Sequence, residues 1–193
     1  MDDFFGMDDA APVGAALRRG RGAVSNRTGR FERDTRVAFN DGWEDAPDDD
    51  PPPPLRTKLI ADSSRKVIAR NTSPDLPFDQ SINPYRGCEH GCVYCFARPT
   101  HAHLGLSPGI DFETKILVKR DAAAALANEL RAPSYACRPI AVGTNTDAYQ
   151  PGEKDEGVMR GILEVLREHR HPVTVVTKGA LVTRDADILG AMG

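Results

Sequence analysis

Cys88, Cys92 and Cys95 lie in the string Arg86-Gly-Cys-Glu-His-Gly-Cys-Val-Tyr-Cys95, a C-x3-C-x2-C cluster. Thiolates are soft ligands that suit iron–sulfur clusters and zinc alike. A closed structural site takes four protein ligands, whereas three leave one metal position open for chemistry. The spacing lets one short loop wrap a cubane cluster, and Gly87 and Gly91 give the backbone freedom to curl around it. Zinc could draw on His90, His101 or His103 for a fourth ligand, but the paired C-x2-C of a zinc ribbon is absent. The chain has 4 cysteines, and a disulfide scaffold would spread them more evenly than this cluster does. The remaining one, Cys137, reads as a small buried thiol just before a strand.

The elements that must hold this loop are legible from about residue 56 onward. A strand around Ser81 to Tyr85 leads into the cysteines. Lys115-Ile-Leu-Val-Lys119 is a short apolar run of the kind found in buried strands, and Asp121 can cap a following helix from Ala122 to Arg131. Arg138 to Val142 reads as a strand, followed by a long loop from Gly143 to Gly152. Val158, Ile162 and Leu166 recur every four residues, with Leu163 widening the stripe, which predicts an amphipathic helix from Glu153 to about His169. Pro172 stops it. Val173 to Thr177 is a β-branched strand, and a helix from about Arg184 to Met192 closes the chain.

The order is β, cysteine loop, β, α, β, α, β, α, with strands about 30 residues apart, which fits βαβ units and a parallel sheet. A dinucleotide-binding sheet wants a Gly-rich turn after its first strand, and here the cysteine loop holds that place. The fold class expected is therefore α/β, a partial (β/α) barrel of about four βα units with its chemistry at the carboxyl ends of the strands. Four strands cannot close a barrel, so residues 56–193 read as the N-terminal part of a domain whose remainder lies beyond Gly193.

Residues 1–55 read differently. They hold 7 Arg against 12 Asp and Glu, and the net charge of the whole chain is −3. Asp2 to Asp9 is acidic, Arg18 to Arg36 is rich in Arg and Gly, and Asp48 to Asp50 runs into four prolines, Pro51 to Pro54. So few apolar residues predict a disordered tail with a stiff proline linker. The arginines could contact phosphate, but flanking acids favour a solvated segment, and neither part has the basic excess of a dedicated nucleic-acid module. No apolar run approaches a membrane span. The acidic start lacks a leader's basic and apolar regions, which predicts a cytoplasmic protein.

The cysteine string, with Tyr94 before its last cysteine, resembles the signature of radical S-adenosylmethionine enzymes. Asn83-Pro-Tyr-Arg-Gly-Cys-Glu-His-Gly-Cys-Val-Tyr-Cys95 resembles one branch more closely, the spore photoproduct lyase-like proteins often labelled DNA repair photolyase. Gly143-Thr-Asn-Thr-Asp-Ala-Tyr-Gln-Pro151 and Thr177-Lys-Gly-Ala-Leu-Val-Thr-Arg-Asp185 resemble it too. Arg19-Gly-Arg-Gly-Ala-Val-Ser-Asn26 and Gly29-Arg-Phe-Glu32 are similar to an N-terminal segment of some members. The resemblance implies that Cys88, Cys92 and Cys95 hold a [4Fe-4S] cluster whose fourth iron binds S-adenosylmethionine. Reductive cleavage of that cofactor to a 5′-deoxyadenosyl radical would then start hydrogen abstraction from a substrate.

The same resemblance places Tyr94 against the adenine and Lys178, after the Val173 strand, at the cofactor carboxylate. Thr144, Asn145, Thr146 and Asp147 follow the Arg138 to Val142 strand, on the active-site rim of a parallel barrel, where short polar side chains can bond a ribose or an amino-acid moiety of the cofactor, with turn formation as the alternative reading. The resemblance implies an electron donor such as flavodoxin or ferredoxin, with nucleic acid as one candidate substrate and no membrane partner. The chain departs from spore photoproduct lyases at two places. Thr144 stands where they carry a hydrogen-donor cysteine, and Phe96 where they carry a tyrosine after the third cluster cysteine. The resemblance therefore reaches the cofactor rather than a particular lesion. A zinc or electron-transfer iron–sulfur module, and an inactive fragment, are the alternatives.

Overall fold

At Asn83 and Pro84 the chain crosses from one sheet to another. The computed structural model describes residues 20–35 and 55–193. The acidic run 2–9 and the proline linker 51–54 lie outside these described residues. The strands are β1 (Lys58–Ala61), β2 (Ile68–Arg70), β3 (Gln80–Ile82), β4 (Tyr85–Arg86), β5 (Lys115–Val118), β6 (Ile140–Val142) and β7 (Val173–Val175). The helices are α1 (Ile110–Thr114), α2 (Ala122–Leu130), α3 (Glu153–Glu156), α4 (Val158–Glu168) and α5 (Ala186–Gly190), with 3-10 turns at Arg98–Leu104 and Ala180–Asp185. The fold is mixed α/β.

One sheet has the order β2-β3-β6-β7 and the other β1-β5-β4. In the first, β3, β6 and β7 run parallel, with Ile82 level with Val142 and Val142 level with Val175. Their carboxyl ends therefore open side by side. The single parallel sheet expected from the strand spacing is not what forms: β2 pairs antiparallel with β3, and β4 antiparallel with β5. The strand expected over Ser81 to Tyr85 breaks because Pro84 cannot donate to a ladder. Its carbonyl instead accepts from Lys119 N at 3.0 Å.

The stripe expected on the long helix is real. Val158, Ile162, Leu163 and Leu166 are all buried against Ile116, Val118, Leu126, Ile140 and Val142. Each such side chain contributes roughly 1.5–3 kcal/mol when fully buried. Gly161 lets α4 approach α2, since a Cβ there would sit 3.2 Å from the Ala123 methyl.

The helix does not run unbroken from Glu153. Gly157, at φ +63°, ends α3 and starts α4 in the left-handed region that glycine tolerates. The Glu153 carboxylate bends back to accept from Val158 N at 3.1 Å and Met159 N at 3.0 Å, and Arg184 pairs with it at 2.7 Å. Tyr85 OH donates to the same buried carboxylate. Burial first, then the Glu153 charge, pushes the Tyr85 pKa up, so the phenol stays a neutral donor.

The closing helix, expected over Arg184 to Met192, is shorter. Arg184 and Asp185 belong to the 3-10 turn, and the buried Asp185 carboxylate accepts from Arg184, Arg160 and Tyr149 OH. Cys137, expected buried, is exposed, because its segment lies outside the ladder that begins at Ile140. Among the described residues no helix is long and apolar enough to cross a membrane.

The segment 20–35, placed by sequence in a disordered tail, has fixed partners in the folded part. Asn26 Nδ2 donates to Asp111 Oδ1 at 3.0 Å, while Asp111 N donates to Asn26 Oδ1 at 2.9 Å. Ile110 N donates to Ser25 O at 3.2 Å. The correction has a physical cause: few apolar residues argue against a core of its own, but not against docking by backbone hydrogen bonds.

Two outcomes are expected. Glu153→Ala leaves the Tyr85 hydroxyl and two helix N–H groups without their acceptor, removes one of the two carboxylates on Arg184, and lowers unfolding stability by about 1–3 kcal/mol in a urea titration at pH 7. Asp185 loses by burial but gains more from its Arg184 and Arg160 hydrogen bonds, so its pKa is depressed. A depressed carboxylate contributes stability above its unfolded pKa and loses it as pH falls through the native value. The urea midpoint is therefore expected to fall more steeply below about pH 4 in the parent than in Asp185→Asn.

Candidate metal centre and its rim

The cysteine loop begins where β4 ends and belongs to neither sheet. Cys88 N donates to Phe112 O at 2.9 Å. Gly87, at φ +87°, is pressed against α1 and β5, and a Cβ there would lie 2.8 Å from Phe112 O. Cys88, Ala97 and Phe112 form a small apolar cluster with Cys95 packed on it. Cys88 is buried, Cys92 and Cys95 are half-buried, and all three are free thiols.

Side chains outside the loop fix its polar groups. Glu89 N donates to Gln150 Oε1 at 2.8 Å, and Gln150 Nε2 donates to Gly87 O at 3.3 Å. The Glu89 carboxylate accepts from Gly152 N at 2.6 Å. These bonds tie the cysteine loop to the loop after β6.

Asp147 ties in a third loop. Its Oδ1 accepts from Tyr149 N at 2.9 Å and Thr177 Oγ1 at 2.6 Å. Its Oδ2 accepts from Lys178 N at 3.0 Å and faces His90 Nε2 at 3.3 Å. Burial alone would raise this carboxyl, but the bonds from His90, Thr177 and the two backbone N–H groups outweigh it and hold its pKa well below the usual range. The oxygens of Asp147 are thus engaged within the protein.

The other rim residues divide in the same way. Thr146 is buried and its hydroxyl donates to Tyr85 O at 2.8 Å. Asn83 Oδ1 accepts from Asn145 N at 2.8 Å and Thr146 N at 3.3 Å, and Asn83 Nδ2 donates to Thr144 Oγ1 at 3.2 Å. The side chain of Asn145 has no hydrogen bond among those described and is half-exposed. Tyr94 is 82% exposed, with Val93 at 75% and Phe96 at 76% beside it. This loop therefore presents an apolar face outward, and Tyr94 does not pack on the protein.

Lys178 reaches from the end of the β7 segment to the cysteines, with Nζ 2.9 Å from Cys92 Sγ. That contact, ahead of a small opposing burial effect, raises the lysine pKa and keeps it cationic. Burial pushes the Cys88 thiol up to about 11, against the backbone N–H groups of His90 and Asp147 that point at its sulfur.

The histidines weighed as fourth ligands go elsewhere. His90 faces Asp147, buried His101 Nε2 lies 2.9 Å from Lys115 O, and the His103 ring stacks on Phe31 with centroids 4.8 Å apart. Among the described residues no group of three or more His, Cys, Asp or Glu side chains is arranged around a single metal ion. A multi-iron cluster spaces its thiolates more widely than one ion does. Three free thiols on one loop are soft donors of the type an iron–sulfur cluster takes, and the Lys178 cation lies against one of them.

Sequence reasoning missed Glu113, Glu89 and Gln150. Glu113 is wholly buried and accepts from the backbone of Arg21, Gly22 and Ala23 and from Arg98. Its local string, Asp-Phe-Glu-Thr, carries no pattern that announces this. The Arg21-Gly-Ala sequence, part of the string Arg19 to Asn26 singled out by resemblance, was the available signal.

No family model matches the chain, and no solved structure matches it. An uncharacterized protein of Mycobacterium tuberculosis and one of Mycobacterium bovis are each 47% identical to it over 114 residues, which is 59% of this chain and 34% of the relative. An uncharacterized protein of Methanocaldococcus jannaschii is 30% identical over 133 residues, 69% of this chain and 47% of that protein. The chain spans about a third to a half of the curated relatives it matches.

Asp147→Asn tests the junction of the three loops. An amide cannot accept on both sides as a carboxylate does, so at least one buried donor loses its partner, at a cost of about 1–3 kcal/mol. The expected result is a lower urea midpoint together with faster amide exchange at Lys178 and Tyr149.

Proposed function

We propose that this chain is part of a radical S-adenosylmethionine enzyme, with Cys88, Cys92 and Cys95 as ligands of a [4Fe-4S] cluster. The observation that carries the reading is the reach of Lys178, beyond the carboxyl end of parallel strand β7, to the loop that carries the three free thiols, with Nζ 2.9 Å from Cys92 Sγ. A partial barrel is the fold-level form of the same proposal, supported by the parallel run of β3, β6 and β7. When bound, the cluster and its cofactor would supply one-electron reductive cleavage of a sulfonium.

The residues have separate tasks in this reading. The three thiolates hold the cluster, and the buried position of Cys88 shelters one side of it from water. The backbone N–H groups of His90 and Asp147 oppose the effect of burial on the Cys88 thiol. Lys178 puts a permanent cation at the rim, suited to a ligand carboxylate. Asn145 and Thr144 offer neutral polar groups for an amino-acid or ribose moiety. Asp147 holds these loops in register. Exposed Tyr94 and Phe96 offer flat apolar surface to an adenine ring. An electron donor of the flavodoxin or ferredoxin class completes the reading, with a substrate that includes nucleic acid among its candidates.

Anaerobic reconstitution with iron and sulfide tests it. The expected product binds about four irons per chain and releases 5′-deoxyadenosine from S-adenosylmethionine under reduction, while Cys92→Ala retains neither property. One zinc per chain and no iron contradicts the reading. Lys178→Ala is expected to keep its iron yet slow 5′-deoxyadenosine release about 10–100-fold.

A further inference from the structure

The carboxylate of Glu113 sits under the cysteine loop, wholly buried, and is gripped from two sides. Arg21 N donates to its Oε2 at 2.5 Å, Gly22 N to its Oε1 at 3.1 Å and Ala23 N to its Oε1 at 2.8 Å. Three successive backbone N–H groups thus form an anion-binding concavity filled by a side chain 90 residues further on. From the other side Arg98 Nη2 donates to Glu113 Oε1 at 2.5 Å. The same guanidinium donates to the carbonyl of Cys92, Nε at 3.1 Å and Nη2 at 3.0 Å. A continuous polar path therefore runs from the N-terminal segment through Glu113 and Arg98 to the backbone of a cluster cysteine.

The contact is also direct. A Cβ on Gly22 would lie 1.8 Å from the carbonyl oxygen of Gly91, and one on Gly91, at φ +61°, would lie 2.5 Å from the Arg21 Cβ. Backbone meets backbone here, one residue before Cys92. Arg21 continues across the loop, with Nη1 donating to Glu113 O at 2.6 Å and Nη2 to Thr57 Oγ1 at 3.0 Å.

We propose that residues 20–26 are a strap that positions the cysteine loop, acting on Cys92 through the Glu113–Arg98 pair and through the Gly22–Gly91 contact. Arg21, Gly22, Glu113 and Arg98 are positioning residues, and none is a ligand. A seated strap holds the Cys92 carbonyl and so fixes where its sulfur points. An unseated strap leaves the loop to its bonds with Phe112, Gln150, Gly152 and Asp147, none of which holds the Cys92 carbonyl. The effect on a bound cluster rests on the function proposed above, whereas the effect on Cys92 in the metal-free chain does not.

The test uses the full chain without metal. Gly22→Ala cannot keep the backbone contact, and Arg98→Lys keeps the charge but loses the planar fork that spans Glu113 and Cys92. Both are expected to speed alkylation of Cys92 and amide exchange over residues 90–98 about tenfold, while exposed Cys137 and the amides of β6 keep their parent rates. Parent rates at Cys92 and over residues 90–98 in both variants overturn the proposal. After reconstitution both variants are expected to lose iron to a chelator several-fold faster and to shift the electron paramagnetic resonance signal of the reduced cluster. A parent chain that takes up no cluster rejects the proposed function, and the metal-free comparison still decides the strap.

Discussion

The cysteine loop belongs to neither sheet, so each of its buried polar groups has to be matched by a partner from elsewhere in the chain. Buried backbone groups without partners are expensive, and Gly87 and Gly91 carry no side chain that could serve. Asp147 and Glu113 from outside the loop, and Glu89 reaching out from within it, answer that need. Asp147 joins the ends of β6 and β7 to His90, Glu89 reaches the turn before α3, and Glu113 joins Arg98 to the N-terminal segment. Three carboxylates, each saturated with donors, hold three thiols in place.

Saturation explains why these acids serve as anchors. A carboxylate that accepts several N–H and O–H bonds stays ionised and fixed, as the depressed pKa of Asp147 shows. Cys88 has the opposite setting. Its thiol is driven up by burial, so it holds its proton more tightly than a free cysteine does. The half-buried Cys92 is matched by the lysine cation of Lys178. One face of the loop is thus locked to protein, and the other, with Val93, Tyr94 and Phe96, is exposed.

Local pattern made much of this legible. The cysteine spacing, the apolar stripe of α4 and the strands ending at Val118, Val142 and Val175 all depend on residues near one another in sequence. The two-sheet arrangement was not legible, because it turns on Pro84 and on strands as short as β4, whose partners lie far along the chain. Asp147 was placed at the rim by its string but given to the cofactor, since sequence does not show which donors will surround an acid. The strap was misread as tail for the same reason. Arg21, Gly22 and Ala23 bury little apolar surface, and what seats them is Glu113, a partner that no spacing rule connects to them.

The central claim is that three thiols and a rim lysine form one cofactor site. The most direct measurement is the electron paramagnetic resonance spectrum of the reduced, reconstituted chain recorded with and without S-adenosylmethionine. The account predicts a cluster signal whose g values change when S-adenosylmethionine is added and do not change with an analogue lacking the amino and carboxylate groups. A spectrum indifferent to S-adenosylmethionine would contradict it.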